Sequence, residues 1–538
     1  MYLNPWQRVI KARNINMFYT IMKLDFIKSN WFGNVIFASV LLSMFFYYGL
    51  NKTFFDPPQS VHVWRQTNSI SLTQNYYQYN LPFLEPEMHN QFGNGGISGK
   101  AVGEFPVIYY FVAQLWKVFG KHEWIFKLVQ IAILFMGLFS LYLSLKHLLK
   151  SQLWAGFVSL LIFTSPMIVF YGPNFLPDVP ALSFVFIAWY FIFRFLNNRQ
   201  AIDLWGSALF FCLSMLIKVT SAISFVALAG WVIFELIFLK ENRRIFKFKL
   251  KYFLPFVLAF IPVVLWYVYA DYYNTINKGH FSYHGIWPIW DVTKADFYRI
   301  IDIQDKIFFR QLFLPYTQYI TLLIWLYLVA SIRKLSPIMR YFILVLPLGF
   351  LIQVLLWFKI LDYHDYYMIN LVVVLVAVWT IFIIQLKRLE LKLYLKFAAY
   401  GLISVFFIWN AIACRKHLNE RYEGWMNETY NKHFKTLIDI GPSFQKWGVN
   451  QEDKVISIPD FTINTTLYYM NRKGYTDFAS DFSKAETFYW RIEQGAKYLV
   501  INDSTILSRE YLKPFIQKKV GKFENVLVYD IQNIKPEK

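Results

Sequence analysis

The sequence is poor in charged residues and in cysteine. Only 16% of its 538 residues are charged, whereas an ordinary soluble protein has about 25%. The two cysteines, Cys212 and Cys414, both lie in apolar runs, which supports neither a disulfide framework nor a thiolate zinc site. With 57% hydrophobic and 21% aromatic residues, the composition excludes a soluble enzyme, a disordered chain and a collagen. What remains is a polytopic membrane protein with an additional soluble part.

The net charge of +20 does not indicate a nucleic-acid partner. Lysine and arginine cluster in short segments between apolar runs, as in residues 240–251. This distribution is typical of cytoplasmic loops, which orient membrane helices and contact anionic lipids.

Eleven apolar runs are long enough to be considered membrane spans, since a bilayer core of roughly 30 Å requires about 20 helical residues. The first run begins after 31 residues and no small-residue cleavage site follows it, which argues against a signal peptide. The predicted fold is therefore an all-α membrane domain over residues 32–414. Its spans are placed near 32–50, 124–145, 153–171, 180–196, 201–217, 222–239, 253–270, 316–332, 341–358, 367–386 and 397–414.

The basic residues also predict the orientation of these spans. The N-terminal tail, residues 1–31, is basic, and every even-numbered span ends in basic residues. Eleven alternating spans place all of these charges on one side, which the positive-inside rule makes cytoplasmic. The tail 415–538 and the loops 51–123, 171–179, 271–315 and 359–366 are then predicted to lie outside. The residues concerned are Arg8, Lys11, Arg13, Lys23, Lys28, Lys146, Lys150, Arg194, Arg199, Arg333, Lys334, Lys387 and Arg388.

The first outer loop, residues 51–123, contains an amphipathic run at 106–120. Apolar residues recur there near helical spacing at Val107, Phe111, Leu115 and Phe119. We expect a helix lying in the outer membrane interface. The alternative, a short span, would break the alternation of charge between the two sides.

The tail, residues 415–538, changes character. It has strand-like runs at 454–458, 497–502 and 525–529, and between them lie the helix-like stretches 430–447, 485–495 and 509–519. This alternation predicts a small extracytoplasmic α/β domain with a parallel or mixed sheet. Tyr468, Tyr469 and the loop 471–475 either finish a turn or face the membrane surface.

Ionisable side chains near span ends are functional candidates, because burying charge in a bilayer is costly. Here they collect in the predicted outer loops. Structural alternatives exist, since Glu104 and Asp178 are each placed to cap a helix and 362–367 fits an ordinary polar loop with an aromatic belt. The candidates are Asp56, His62, Trp64, Arg65, Gln66, Glu104, Asp178, Lys218, His364, Asp365, Tyr366 and Tyr367.

This combination suits a lipid-linked phosphate substrate. Arg65 or Lys218 would neutralise the phosphate, a carboxylate would act as general base, and a polyprenyl tail would lie between helices. The sequence has no Gly-rich phosphate loop, nucleophile elbow or zinc-ligand spacing, so no cofactor is assigned. The Asp and His residues are compatible with a divalent cation, although their spacing is diffuse.

Three short motifs and their order resemble the GT-C glycosyltransferases. They are Gly103-Glu104-Phe105-Pro106 before the interfacial helix, Leu176-Pro177-Asp178-Val179-Pro180 between two spans, and His364-Asp365-Tyr366-Tyr367 late in the chain. The branch they resemble most is the bacterial one related to family 39 protein O-mannosyltransferases and to the lipid A aminoarabinose transferase. The resemblance covers roughly residues 30–410.

The resemblance implies an inverting transferase that uses a polyprenyl-phosphate sugar at the outer membrane face. The family's usual acidic base early in the first outer loop is replaced here by His62-Val63-Trp64-Arg65-Gln66, similar to a bacterial subgroup with a Trp-Arg-Gln signature. Glu104, Asp178, Asp56 and His62 are therefore the candidate catalytic residues. The candidate substrate-binding residues are Trp64, Arg65, Gln66, Lys218, His364, Asp365, Tyr366 and Tyr367.

The prediction is thus a hexosyl- or pentosyl-type glycosyltransferase of the bacterial cytoplasmic membrane. Its acceptor would be an envelope glycan, a lipid or a protein. The alternative is a transporter or flippase of envelope glycolipids, which would place ionisable groups near mid-bilayer and show internal repeats. A third reading is a non-enzymatic envelope scaffold or assembly factor.

Overall fold

The structure is a computed structural model that describes residues 30–240, 244–246, 252–279, 286–389, 392–478 and 480–535. Nearly all of the predicted cytoplasmic tail, 1–31, and most of the basic cluster 240–251 lie outside these residues. The described chain is mostly helical, as predicted. Its helices of six or more residues are α1 Asn30–Tyr47, α2 Val63–Tyr79, α3 Val107–Phe119, α4 Glu123–Leu149, α5 Gln152–Ile162, α6 Pro166–Tyr171, α7 Asp178–Asn198, α8 Ala201–Ile217, α9 Ala222–Phe238, α10 Leu254–Ile276, α11 Lys294–Ile303, α12 Pro315–Ala330, α13 Pro337–Leu356, α14 Val372–Lys387, α15 Leu393–Tyr422, α16 Gly441–Lys446, α17 Thr465–Met470 and α18 Ala485–Glu493.

Each of the eleven predicted spans falls on helix, and the chain is an integral membrane protein. Seven described helices are long and apolar enough to cross a membrane, or eight if the segment Lys294–Leu312 and α12, bent by 87°, form one span. The predicted spans 32–50, 153–171 and 201–217 fall on shorter apolar helices.

The predicted continuous span 153–171 is wrong. It breaks between α5 and α6, where the Ser165 hydroxyl caps α6 by accepting from the Ile168 amide. Pro166 follows at the first helical position, where its missing N–H costs nothing. The local sequence therefore favours a new helix start over continuation of the helix.

The first outer loop holds two packed helices, of which only α3 was predicted. Helix α3 buries Ile108, Val112 and Trp116 and packs against α2. Phe111 and Phe119 remain 52% and 65% exposed. Phe111 and Phe119 of the predicted apolar stripe thus face away from the protein, whereas Val107 and Leu115 pack against its core.

The C-terminal region forms the predicted α/β domain with a mixed sheet. Strands β1 Lys454–Ile458, β2 Gly474–Tyr475, β3 Ala496–Ile501, β4 Lys519–Phe523 and β5 Val526–Asp530 lie in the order β2-β1-β3-β5-β4. Strand β1 pairs in parallel with β2 and β3, and β5 is antiparallel to β3 and β4.

Several local predictions in this domain are corrected. Tyr468 and Tyr469 neither finish a turn nor face a membrane; both are buried in helix α17. The predicted helix 509–519 shortens to a 3-10 segment, Glu510–Phe515, because β4 begins at Lys519. The predicted helix 430–447 consists of π and 3-10 turns followed by α16.

The C-terminal domain packs directly on the first outer loop through buried polar side chains. The hydroxyls of Thr67 and Thr465 are 3.0 Å apart, and the Asn464 amide donates to Asn68 Oδ1 at 3.0 Å. Helix α2 therefore lies between α3 on one side and α17 on the other. This double cover explains how a largely polar helix becomes buried over most of its length.

Candidate active site

The first ion pair of the site joins α2 to the segment before α3. The Arg65 guanidinium contacts the Glu104 carboxylate and also donates to Ser69 Oγ at 3.3 Å. The Tyr109 hydroxyl donates to the second Glu104 oxygen at 3.4 Å. Glu104 does not cap α3, whose N-cap residue is Pro106; its side chain binds other side chains instead.

The second ion pair joins the start of α7 to the end of α8. The Lys218 Nζ atom lies 3.0 Å from Asp178 Oδ1. Asp178 is the first residue within α7, and the N-cap position is Pro177, so the capping alternative for Asp178 is wrong. The Lys218 ammonium also lies over the ring of Tyr367, 4.1 Å from its centroid, and 5.2 Å from that of Tyr366.

The two pairs differ in access to solvent. The Glu104 side chain keeps 16% of its surface exposed and Arg65 keeps 11%, whereas the Asp178 side chain is fully buried. Only Glu104 of these two carboxylates can therefore touch an incoming substrate without rearrangement.

Electrostatics link the two pairs. Burial alone raises the pKa of Glu104, but the charges of Arg65 and then Lys218 outweigh it and hold that pKa below its usual range. Burial acts against the charged form of Arg65 too, yet the Glu104 charge raises the Arg65 pKa well above its ordinary value. Both members of the pair are thus ionised near neutral pH.

A third ionic group surrounds Asp365. Arg421 Nη2 lies 2.8 Å from Oδ2, the Tyr171 hydroxyl donates to Oδ1 at 2.6 Å, and His62 Nε2 is 3.1 Å from the same Oδ1. The Asp365 and Arg421 side chains are buried. His62 has a left-handed backbone, with φ of 53°, at the position that begins α2.

Aromatic side chains connect the ionic groups. The His62 ring meets that of Tyr366 edge to face at 5.4 Å, and the His364 ring meets that of Trp64 in the same way at 5.4 Å. Burial and the nearby His62 lower the pKa of His364 to about 4, so its ring is neutral at physiological pH. These rings line the space between the two ion pairs and Asp365.

Two predicted site residues lie apart from the ionic groups. The Gln66 side chain donates to the backbone oxygens of Gln59 and Val61, which fixes its own loop. Asp56 accepts from the Gln59 side chain at 2.8 Å, and the groups it influences electrostatically are Lys127, Tyr422 and Tyr430. The other ten predicted residues converge at one end of the helix bundle, which we call the site end.

Three residues of the site were not predicted: Arg421, Tyr171 and Tyr109. Arg421 follows the basic sequence Arg415-Lys416-His417, where hydropathy ended the predicted span at 414. Helix α15 continues to Tyr422 and carries Arg421 to Asp365. The one signal that could have pointed to Arg421 is continuation of the last helix beyond the apolar run that ends at residue 414.

An apolar groove of about 460 Å³ adjoins the second ion pair. It runs between the end of α8, the start of α9 and residues 260–271 of α10, and its lining includes Val219, the residue after Lys218, and one carboxylate, Asp271. Val264 and Val268 on its wall are exposed on the surface of the bundle. The groove thus opens on the bundle surface and reaches the backbone next to Lys218, whose side chain does not line it.

A metal site would need several His, Cys, Asp or Glu side chains close together. Across the residues that the structure describes, no three of these side chains are grouped closely enough to hold a metal ion.

The chain is similar to a known protein family and to several solved structures. Residues 103–267, which include Glu104, Asp178 and Lys218, match the family model of dolichyl-phosphate-mannose-protein mannosyltransferases. No curated protein sequence matches the chain.

Among solved structures, ArnT from Cupriavidus metallidurans is similar over 94% of this chain and 99% of that one. The TM-score is 0.56 and the identity 12%, both for its apo state and for its complex with undecaprenyl phosphate. The Archaeoglobus fulgidus oligosaccharyltransferase is similar over 89% of this chain and 70% of its own, with a TM-score of 0.56 and 11% identity. At these identities the likeness concerns the fold, and the predicted GT-C architecture is confirmed.

Proposed function

Starting from the GT-C fold, we propose that this protein is a glycosyltransferase that moves a sugar from a polyprenyl-phosphate donor to an envelope acceptor. The observation that carries the proposal is the pair of buried cations at the site end, each held by one carboxylate, beside an apolar groove. The structure of ArnT with undecaprenyl phosphate supports the donor class. The reaction would take place at the outer face of the bacterial cytoplasmic membrane, where the positive-inside rule puts the site end.

The donor phosphate would bind between Arg65 and Lys218. A phosphate offers several oxygens to these cations, whereas Glu104 and Asp178 each contact one cation in the resting site. The polyprenyl tail would enter the groove next to Lys218, where removing apolar surface from water favours binding. The paired carboxylates thus keep the cations buried and satisfied until the donor arrives.

Glu104 is the proposed general base. When the phosphate takes over the charge of Arg65, the main influence that lowers the Glu104 pKa is withdrawn and burial raises it. A carboxylate with a raised pKa is a better proton acceptor near neutral pH. Donor binding would therefore activate the base.

The transfer is a single displacement with inversion. The acceptor oxygen or nitrogen forms a bond to the anomeric carbon as the bond from that carbon to the phosphate oxygen breaks. The acceptor proton passes to Glu104, and the polyprenyl phosphate leaves with its charge held by Arg65 and Lys218. Asp178 keeps Lys218 in place, and Trp64, Tyr366 and His364 line the sugar pocket. The donor sugar would be a hexose or a pentose.

The transporter alternative receives no support from the described residues. Glu104, Asp178 and Lys218 lie before, at the start of, or just after helices. A transporter site would place such groups near mid-bilayer on broken helices.

The test uses purified protein, a panel of radiolabelled undecaprenyl-phosphate sugars and a total envelope-glycan extract. Acceptor-dependent donor consumption should fall at least about 100-fold in Glu104→Gln, as expected for loss of a general base. It should also fall in Asp178→Asn. The control is Glu235→Gln, a buried carboxylate of α9 that binds Trp231 and backbone amides.

The arms of this experiment separate the fold-based proposal from the site assignment. Consumption that survives in Glu104→Gln but is lost in Asp56→Asn would keep the transferase and overturn Glu104 as the base. Wild-type protein that moves labelled glycolipid across vesicles without consuming any donor would contradict the transferase itself.

A further inference from the structure

At the other end of the bundle, which we call the basic end, an apolar cavity of about 200 Å³ lies between helices α4, α7, α9, α13 and α14. Leu145, Ile192 and Phe342 line it together with other apolar side chains. Ile192 lies 14 residues after Asp178 along α7, which at 1.5 Å per residue is about 21 Å. From there the cavity extends toward Ser224 and Val373, and no residue of the candidate active site lines it.

A second pocket, of about 490 Å³, opens beside this cavity, and Ser144 and Phe193 line both. Its wall is basic and contains no carboxylate. The charged or titratable residues on it are Lys146, His147, Lys150 and Arg194. A charged pocket thus continues into an apolar one.

The positive-inside rule explains cations at this end, but it does not explain their arrangement. Elsewhere at the basic end, Arg199, Arg340 and Lys387 donate to backbone carbonyls. Within the described residues, the exposed side chains of His147 and Lys150 have no such acceptor and no ion-pair partner. The Lys150 ammonium and the His147 ring are thus open to a ligand.

Among the described residues, the other two cations of the pocket each have one hydrogen-bond or ion-pair partner, which is neutral for Lys146 and a carboxylate outside the pocket for Arg194. Lys146 donates to Asn34 Oδ1 at 2.7 Å, and Arg194 lies 3.2 Å from Asp203 while remaining 43% exposed. Asp203 does not line the pocket, so the potential inside it stays positive.

We propose that the basic end holds a binding site for an anionic glycerophospholipid, with the head-group phosphate at Lys146, Lys150 and Arg194. Part of one acyl chain occupies the apolar cavity. A charged head and an apolar tail match the two adjoining pockets in order, and basic pockets between membrane helices are suited to such head groups. The site is independent of the proposed transferase chemistry.

The test is a lipid titration of purified full-length protein followed by native mass spectrometry. The probes are phosphatidylglycerol, phosphatidylcholine of the same chains, and undecaprenyl phosphate. Phosphatidylglycerol should bind at least about ten-fold more tightly than phosphatidylcholine, since each cation near a membrane surface contributes about five-fold in affinity.

Two variants address the two pockets separately. Lys150→Asn removes a head-group cation and suits the left-handed backbone there, with φ of 46°. Ala377→Leu adds an apolar side chain to the wall of the cavity. Each should weaken phosphatidylglycerol binding about five-fold, whereas Lys334→Gln, at the same end but outside the pocket, should leave it unchanged.

Equal binding of the two glycerophospholipids would overturn the proposal, as would an equal effect of Lys334→Gln, which indicates diffuse surface attraction. Binding of undecaprenyl phosphate at this site in preference to phosphatidylglycerol would overturn the lipid class. If Ala377→Leu does not fold, Lys150→Asn against Lys334→Gln decides the head-group site.

Discussion

Two sets of ionic contacts meet at the site end, and they differ in how many partners each carboxylate has. Asp365 is held by three groups, Arg421, Tyr171 and His62. Glu104 is held by Arg65 and the Tyr109 hydroxyl, and among the described residues Asp178 is held by Lys218 alone. Asp365, with three partners, is fixed in place, whereas Arg65 and Lys218, each paired with one carboxylate, can exchange that carboxylate for a phosphate.

This difference separates architecture from chemistry within one cluster of charges. The contacts of Asp365 tie α6, α15 and the start of α2 together. The contacts of Glu104 and Asp178 hold the two cations, Arg65 and Lys218, at the site end through one carboxylate each. Substitutions in the first set should thus change stability, and substitutions in the second set should change binding and turnover.

The largest effect is expected for Arg421→Leu. This change leaves the Asp365 carboxylate buried without its cation, and removing one member of a buried pair typically costs about 3–5 kcal/mol. The free energy of unfolding, followed by thermal melting in detergent, should fall by that order. A melting temperature unchanged from wild type would show that Asp365 does not depend on Arg421.

The next effect concerns the exchangeable set. Lys218→Gln should weaken undecaprenyl phosphate binding by about 10- to 100-fold, the range for a lost charged hydrogen bond of about 1.5–3 kcal/mol. Lys218→Arg keeps the charge and should retain most of the affinity. Equal affinity of wild type and Lys218→Gln, measured by native mass spectrometry, would remove Lys218 from the donor site.

A contact between neutral side chains lies at the interface between the first outer loop and the C-terminal domain. His89 Nδ1 lies 2.7 Å from Ser71 Oγ, and burial together with the charge of Lys121 lowers the pKa of His89 to about 3. In the unfolded chain the pKa is about 6.5. Between these values the unfolded state binds the extra proton, so stability falls as the pH is lowered through this window.

The expected slope is up to roughly 1.4 kcal/mol per pH unit below pH 6.5. Melting temperatures at pH 7.0 and pH 5.0 measure it, and His89→Gln should flatten the dependence. A variant that keeps the full pH dependence would assign it to other groups.

The smallest effect is expected at Tyr367, whose ring lies under the Lys218 ammonium. Tyr367→Leu removes a cation–π contact of about 0.5–2 kcal/mol, so the KM for the donor should rise a few-fold to about 30-fold. Tyr367→Phe keeps the ring and serves as the matched control. If the Phe variant loses as much as the Leu variant, the hydroxyl rather than the ring is what matters.

The sequence predicted the helices of the membrane domain because each lies in a long apolar run. It predicted the small mixed sheet from three strand-like runs. It did not predict helix α2, whose polar side chains are buried only because α3 and the C-terminal domain cover both sides. Hydropathy reads such a segment as an exposed loop. The same limitation ended the last span before Arg421.

The site residues were predicted as a set but not as pairs. Alternating spans bring the outer loops to one end, and this topology is enough to collect Glu104, Asp178 and Lys218. Which cation meets which carboxylate depends on helix packing, since Arg65 and Glu104 are separated by 39 positions and Arg421 and Asp365 by 56. Asp56 is an example of this limit. It lies in the same outer loop as Arg65 and Glu104, yet its side chain contacts Gln59.

The most direct test of the account is the behaviour of Glu104→Gln in two measurements on one preparation. Affinity for undecaprenyl phosphate is measured by titration, and turnover is measured with the radiolabelled donor that wild type consumes. Because the variant frees Arg65 while it removes the base, it should bind the lipid phosphate at least as tightly as wild type and turn over at least about 100-fold more slowly. Turnover at the wild-type rate, or a parallel loss of affinity and turnover, would contradict the exchange of Glu104 for phosphate.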